Sequence, residues 1–151
     1  MIYIVDGYKF NDPDKVAQYI TETIDDNVYD DMLDECYGEV NIGGFKYATS
    51  IALKETDPTA YRCGKNDYYD NLSSDISSEV DRLTDYGTDN FYGFVVESYD
   101  DWAIQENLDE IEDELDGMDK DDDDYKNLLA EKKEKEAELK ELLDGINDYF
   151  K

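Results

Sequence analysis

Carboxylates outnumber every other kind of side chain able to do chemistry in this chain. Forty-two aspartates and glutamates stand against fourteen lysines and arginines, histidine is absent, and the formal net charge is −28 on 151 residues. Carboxylates serve three kinds of chemistry: proton transfer within a pair, coordination of a hard cation, and presentation of negative charge to a basic surface. Proton transfer requires two carboxyls set a defined distance apart in a cleft. Acidic neighbours occur throughout this sequence, and no pair stands out. A calcium loop takes ligands at alternating positions, with glycine sixth and glutamate twelfth. Counted from Asp119, Asp121 and Asp123 fall correctly, but Asp124 is sixth and Ala130 twelfth, with Glu131 one place late.

Other reactive arrangements are equally poorly supplied. Cys36 and Cys63, without a histidine, cannot make an ordinary closed zinc site. They also give no disulfide framework. No serine or cysteine has a histidine to activate it, and Gly43-Gly44 reads as a hairpin turn rather than a phosphate loop. The expectation is a protein that is not an enzyme, with no catalytic, cofactor-binding or metal residue and no cofactor. The third use of carboxylates is left. A field of this sign repels nucleic acid and anionic lipid and attracts a basic surface. Solubility alone needs a net charge of only about 2–8 in a small domain.

The composition argues for folding despite the charge. Hydrophobic residues make up 40% of the chain, fourteen residues are tyrosine and only two are proline. Disordered chains are poor in such residues. No basic, apolar leader opens the sequence and no apolar run approaches the length of a membrane span, so a cytoplasmic protein is expected.

The pattern of residues predicts an α+β fold in two parts, 1–100 and 101–151. In the first, Met1 to Val5 reads as a strand, Asp6-Gly7 as a turn and Tyr8 to Phe10 as a returning strand. Asn11 or Asp12 caps a helix opened by Pro13, with Val16, Ala17, Ile20 and Ile24 inward. A second helix covers Val28 to Tyr37, with Met32, Leu33 and Cys36 inward, and Gly38 ends it. Glu39 to Ile42 and Phe45 to Leu53 form a hairpin. Phe45, Tyr47, Thr49 and Ile51 alternate along its second arm, which predicts one face on a core. Asp57-Pro58 opens a short helix to Tyr61, Asn66 or Asp67 starts another to Leu83, and Phe91 to Val96 is a strand. Together these predict a small antiparallel sheet with packed helices.

From Asp101 onward the period becomes helical. Ile104, Leu108, Ile111, Leu115 and Met118 step by four, three, four and three, a coiled-coil seam. Asp119 to Asp124 cannot pack and read as a solvated loop. Tyr125 restarts a helix carrying Leu128, Leu129, Ala137, Leu139, Leu142, Leu143 and Ile146. The result is an antiparallel helical hairpin with twenty acidic residues against seven lysines, a charge of −13.

Duplex DNA carries one charge per about 1.7 Å of axis. Acids spaced three or four apart on a helix recur roughly every 5 Å along each face. Several such rows place carboxylates on the scale of phosphates. The partner-binding acids expected from this are Asp109, Glu110, Glu112, Asp113, Glu114, Asp116, Asp121, Asp122, Asp123 and Asp124. Exposed ion pairs contribute little affinity, so aromatic anchors are also needed. Tyr61, Tyr68, Tyr69, Tyr86, Tyr92, Tyr99 and Trp102 lie among acids, and Tyr68 and Tyr69 are the chosen anchors.

In size, acidity and tyrosine content the whole chain resembles the small acidic inhibitors that phages and mobile elements direct against host CRISPR and restriction enzymes. The segment from Ile51 to Leu72, IALKETDPTAYRCGKNDYYDNL, is also similar to one in small phage-encoded proteins. The class resemblance implies a DNA mimic seated in the nucleic-acid cleft of a basic protein, with a CRISPR effector nuclease favoured for its large positive channels. A restriction enzyme is the nearest alternative target. An acidic adaptor or chaperone, binding a basic protein without blocking catalysis, would use the same charges. A self-associating coiled coil would need a continuous apolar strip on the arm.

Overall fold

A computed structural model describes residues 1–84 and 86–151. The fold is α+β. Strands β1 (Ile2–Val5), β2 (Tyr8–Phe10), β5 (Thr88–Phe91) and β6 (Phe94–Tyr99) form an antiparallel sheet of order β2-β1-β6-β5. Strands β3 (Glu39–Ile42) and β4 (Phe45–Ala48) form a separate two-stranded sheet. Helices α1 (Pro13–Thr23), α2 (Val28–Tyr37), α3 (Thr49–Thr56) and α4 (Pro58–Val80) lie between them in sequence. Helices α5 (Asp101–Asp116) and α6 (Asp123–Leu143) follow.

The register of the larger sheet decides what covers each face. Tyr3 pairs with Phe10 and Ser98, and Val5 with Tyr8 and Val96. Directly opposed residues share a face. Tyr3, Val5, Phe10 and Val96 pack with Val16, Ala17 and Ile20 of α1 and with Leu72, Ile76 and Val80 of α4. Ile4 and Tyr99 point the other way and meet Ile104 and Leu108 of α5 and Leu139 and Leu142 of α6. The molecule is therefore layered: α1 and α4, then the sheet, then α5 and α6. Beyond Ile111 the arm holds its apolar residues half-buried, helix against helix, with Leu115, Tyr125 and Leu129 around one groove.

Local chemistry explains the boundaries. Asp12 caps α1 by accepting from the Asp14 amide, and Asp57 caps α4 through the Ala60 amide, each followed by proline. The chain does not break after Tyr61. Helix α4 is continuous from Pro58 to Val80, so the two short helices expected there are one. Gly64, tolerated inside a helix at a cost of about 1 kcal/mol, sits where a Cβ would stand 2.3 Å from the Tyr29 hydroxyl. It is a point of close approach between α2 and α4, not a stop.

Three other expectations are corrected. The second arm of the middle hairpin ends at Ala48, because Thr49 begins α3. That helix lacks a cap of its own. Asp34 of α2 supplies one, accepting from the Ser50 amide at 2.7 Å and the Ser50 hydroxyl at 2.9 Å. Cys36, expected inward, is exposed, while Tyr29 and Leu33 bury the inner face of α2. The run from Phe91 to Val96 is not one strand. Tyr92 and Gly93, at φ 53° and 91°, turn the chain between β5 and β6. Positive φ at both central residues is the two-residue hairpin geometry, shared by Asp6-Gly7 and Gly43-Gly44.

The C-terminal residues return to the sheet. Helix α6 ends at Leu143, so Ile146 is not helical. It forms a parallel bridge with Lys9, and the Asn147 amide donates to the Lys9 carbonyl at 2.7 Å. This covers part of the open edge of β2, which blunts an edge otherwise free to pair with another chain. Tyr149 then meets Tyr8 and Tyr19 edge to face, with ring centroids 5.3 and 4.8 Å away, and Phe150 lies 5.9 Å from Phe10.

Tyr19, buried among these rings, donates its hydroxyl to Asp6 at 3.0 Å. Burial, the hydrogen bond to Asp6 and its charge push this phenol up to about 12. An unfolded tyrosine titrates near 10. The folded state therefore holds this proton more tightly. Its contribution to stability is full below pH 10 and is lost as the pH rises from about 10 towards 12. A urea midpoint that falls between pH 9 and pH 11, and falls less in Tyr19→Phe, is expected. Absorbance titration should show a late-ionising phenol that Tyr19→Phe removes.

Candidate partner-binding surface

The ten acids expected to meet a partner are all exposed. Helix α5 starts on an Asp100 cap that accepts from the Trp102 and Ala103 amides. Its apolar stripe is buried by the sheet and α6, so the remaining faces point to solvent. Glu106, Glu110 and Glu114 step by four along one of them. Asp109, Asp113 and Asp116 run beside it. These six carboxylates, none of them in an ion pair among the described residues, span ten residue steps of helix. That is about one charge per 2.5 Å of axis at 1.5 Å rise, against about 1.7 Å for duplex DNA.

Helix α6 differs. Its lysines are interleaved with its glutamates and neutralise part of the arm from within. Lys132 reaches across to Glu112 at 2.5 Å and along its own helix to Glu136 at 3.6 Å. Lys135 pairs with Glu138 at 3.1 Å. Among the described residues, Glu112 and Asp123 are the two of the ten acids held in ion pairs. The strong negative surface of the arm is thus the outer side of α5 and the tip.

The tip is shorter than expected. Asp122 caps α6 through the Asp124 amide, so Asp123 and Asp124 occupy the first helical turn instead of the loop. Acids there are favoured by the helix dipole. Among the described residues, no group of three potential ligands converges closely enough to hold a metal ion.

Tyr68 and Tyr69 lie on α4, in the layer opposite the arm. They do not join the arm acids in one patch. Both are half-buried and pack against the main core. The Tyr68 ring lies 5.6 Å from Tyr29 and, edge to face, 5.7 Å from Tyr69, and Tyr29 lies 5.4 Å from Tyr61. This ring cluster fixes α2 to α4. Burial raises the phenols of Tyr68 and Tyr69 above the usual tyrosine value. Tyr61 donates to Asp30 at 2.6 Å, and the Lys54 ammonium lies 3.1 Å from the same carboxylate. Burial alone would raise the Asp30 carboxyl. The Tyr61 and Lys54 hydrogen bonds outweigh it and hold the carboxyl below the usual range.

The large apolar side chains that are free to make contacts lie elsewhere. Tyr86, Tyr92 and Trp102 are well exposed, as are Tyr37, Phe45 and Ile51. The first three were among the aromatic residues noted in sequence. The exposure of Phe45 and Ile51 was missed, because their alternation reads as a core-facing strand. No helix of the described residues is long and apolar enough to cross a membrane. No family model matches this chain, and no curated protein or solved structure matches it significantly.

Proposed function

We propose that the protein is an inhibitor that imitates nucleic acid and occupies the basic cleft of a nucleic-acid-processing enzyme. The observation that supports this best is the outer side of α5, where exposed carboxylates, outside any ion pair among the described residues, recur about every 2.5 Å of axis, on the scale of the about 1.7 Å of a duplex. An enzyme that grips DNA or RNA presents lysines and arginines to phosphates. Much of its affinity comes from that contact and is independent of sequence. An ordered row of carboxylates on a rigid helix competes for the same cations. The rigidity matters, because the charges need not be ordered on binding.

A CRISPR effector nuclease is the favoured target. Its guide and target channels are long and positive, and a slender two-helix arm fits such a space. A restriction enzyme is next. The site of action on this reading is the cytoplasm of the host cell. The test is cleavage by a panel of purified CRISPR effectors and restriction enzymes, with the protein added before the substrate. Inhibition that weakens as salt rises is the expected result. Full cleavage by every member at saturating protein would refute the reading.

A further inference from the structure

The β3–β4 hairpin is amphipathic, and its apolar side, bordered by α3, stays largely exposed. In its register Val40 opposes Tyr47 and Ile42 opposes Phe45, which places these four on one face. Glu39, Asn41 and Lys46 occupy the other. A hairpin with this alternation ordinarily lays its apolar face on a core. Here the pair of strands is separate from the larger sheet. Ile42 remains 48% exposed, Phe45 69% and Tyr47 43%. Ile51 of α3, 54% exposed, extends the patch. Ile42, Tyr47, Ile51 and Ala52 line a shallow recess with Glu55 and Thr56 at its edge. Isolated exposed apolar residues need no explanation, but a contiguous patch marks an interaction surface.

We infer that this face is the apolar anchor of the complex, seating against an apolar recess ringed by basic side chains on the target enzyme. The inference rests on the inhibitor reading above and adds the surface that holds the complex together. Charge selects the occupant. Each chain carries −28, and a symmetric contact between two copies would bring Glu55 and its surroundings onto themselves. Lys46 and Lys54, the cations of this corner, are already paired with Glu39 and Asp30. A basic partner meets the opposite field. The arm and the hairpin then divide the work: long-range attraction by one, short-range apolar burial by the other.

The test is binding kinetics of the full chain against purified CRISPR effectors, guide-loaded and guide-free, and restriction enzymes. Phe45→Ser with Tyr47→Ser should speed dissociation by about 100-fold while leaving the association rate and its salt dependence unchanged. Ile51→Asn, on α3 instead of the hairpin, should act in the same direction, which guards against a merely unravelled hairpin. An unchanged dissociation rate in both variants would overturn the anchor and leave the inhibitor reading standing. Failure of the wild-type protein to bind any panel member would overturn both. A wild-type dimer in sedimentation, dissociated by the hairpin substitutions, would assign the face to self-association and also overturn the anchor.

Discussion

Neutralising the outer side of α5 is expected to slow association by about tenfold or more at low salt, in line with the size of electrostatic steering, and to flatten its salt dependence. The variant replaces Asp109, Asp113 and Asp116 with asparagine, and Glu110 and Glu114 with glutamine. All five residues are exposed, and none is held in an ion pair among the described residues. Dissociation should change much less, because rim charges act chiefly on encounter. The same variant carries a second signature. Glu110 and Glu114, and Asp109 and Asp113, are like charges four apart on one helix, each pair destabilising by about 0.2–0.5 kcal/mol. Removing them should raise the urea midpoint slightly. A protein that becomes more stable and binds more slowly has its acids placed for encounter. An unchanged association rate would move the binding surface away from the arm, to the acidic helices of the first hundred residues.

Phe10→Ala is expected to cost about 3–5 kcal/mol, a large share of the roughly 5–15 kcal/mol of a typical domain. Phe10 is fully buried on the last residue of β2. Its ring lies 5.5 Å from Tyr19 and 5.9 Å from Phe150. It joins the sheet, α1 and the returning C-terminal residues, so its loss opens a cavity and loosens the tail together. Urea unfolding should show a lower midpoint, and proteolysis should reach the C-terminal residues first. A loss below about 1 kcal/mol, the size expected for an ordinary substitution, would contradict this packing.

Much of this fold is written in short-range signals. Pro13 after Asp12 and Pro58 after Asp57 mark helix starts, and Gly38 marks an end, because each has one favourable local geometry. The seam of Ile104, Leu108 and Ile111 reveals a buried stripe through its period alone. The turn at Tyr92-Gly93 was hidden by an aromatic residue in a conformation glycine and asparagine prefer. A signal was nevertheless present. In both Asn41-Ile42-Gly43-Gly44 and Asn90-Phe91-Tyr92-Gly93, the asparagine side chain accepts from the glycine amide three residues on, at 3.0 Å. The start of α3 depends on Asp34, sixteen residues away, and local pattern cannot reveal such a cap. The site was legible in part. The exposure of the α5 acids follows from the stripe opposite them. The burial of Tyr68 and Tyr69 follows from how α2 crosses α4, and the bare face of the hairpin from its separation from the larger sheet. Both are tertiary facts.

Competition with nucleic acid separates occupancy of the cleft from binding beside it. An enzyme from the panel that the protein inhibits would be titrated with inhibitor at several fixed concentrations of labelled nucleic acid. With mimicry, the apparent inhibition constant rises linearly with nucleic-acid concentration, because both occupy one basic cleft. A constant independent of nucleic acid, with a ternary complex of enzyme, substrate and this protein, would contradict mimicry and favour an acidic adaptor bound beside the cleft.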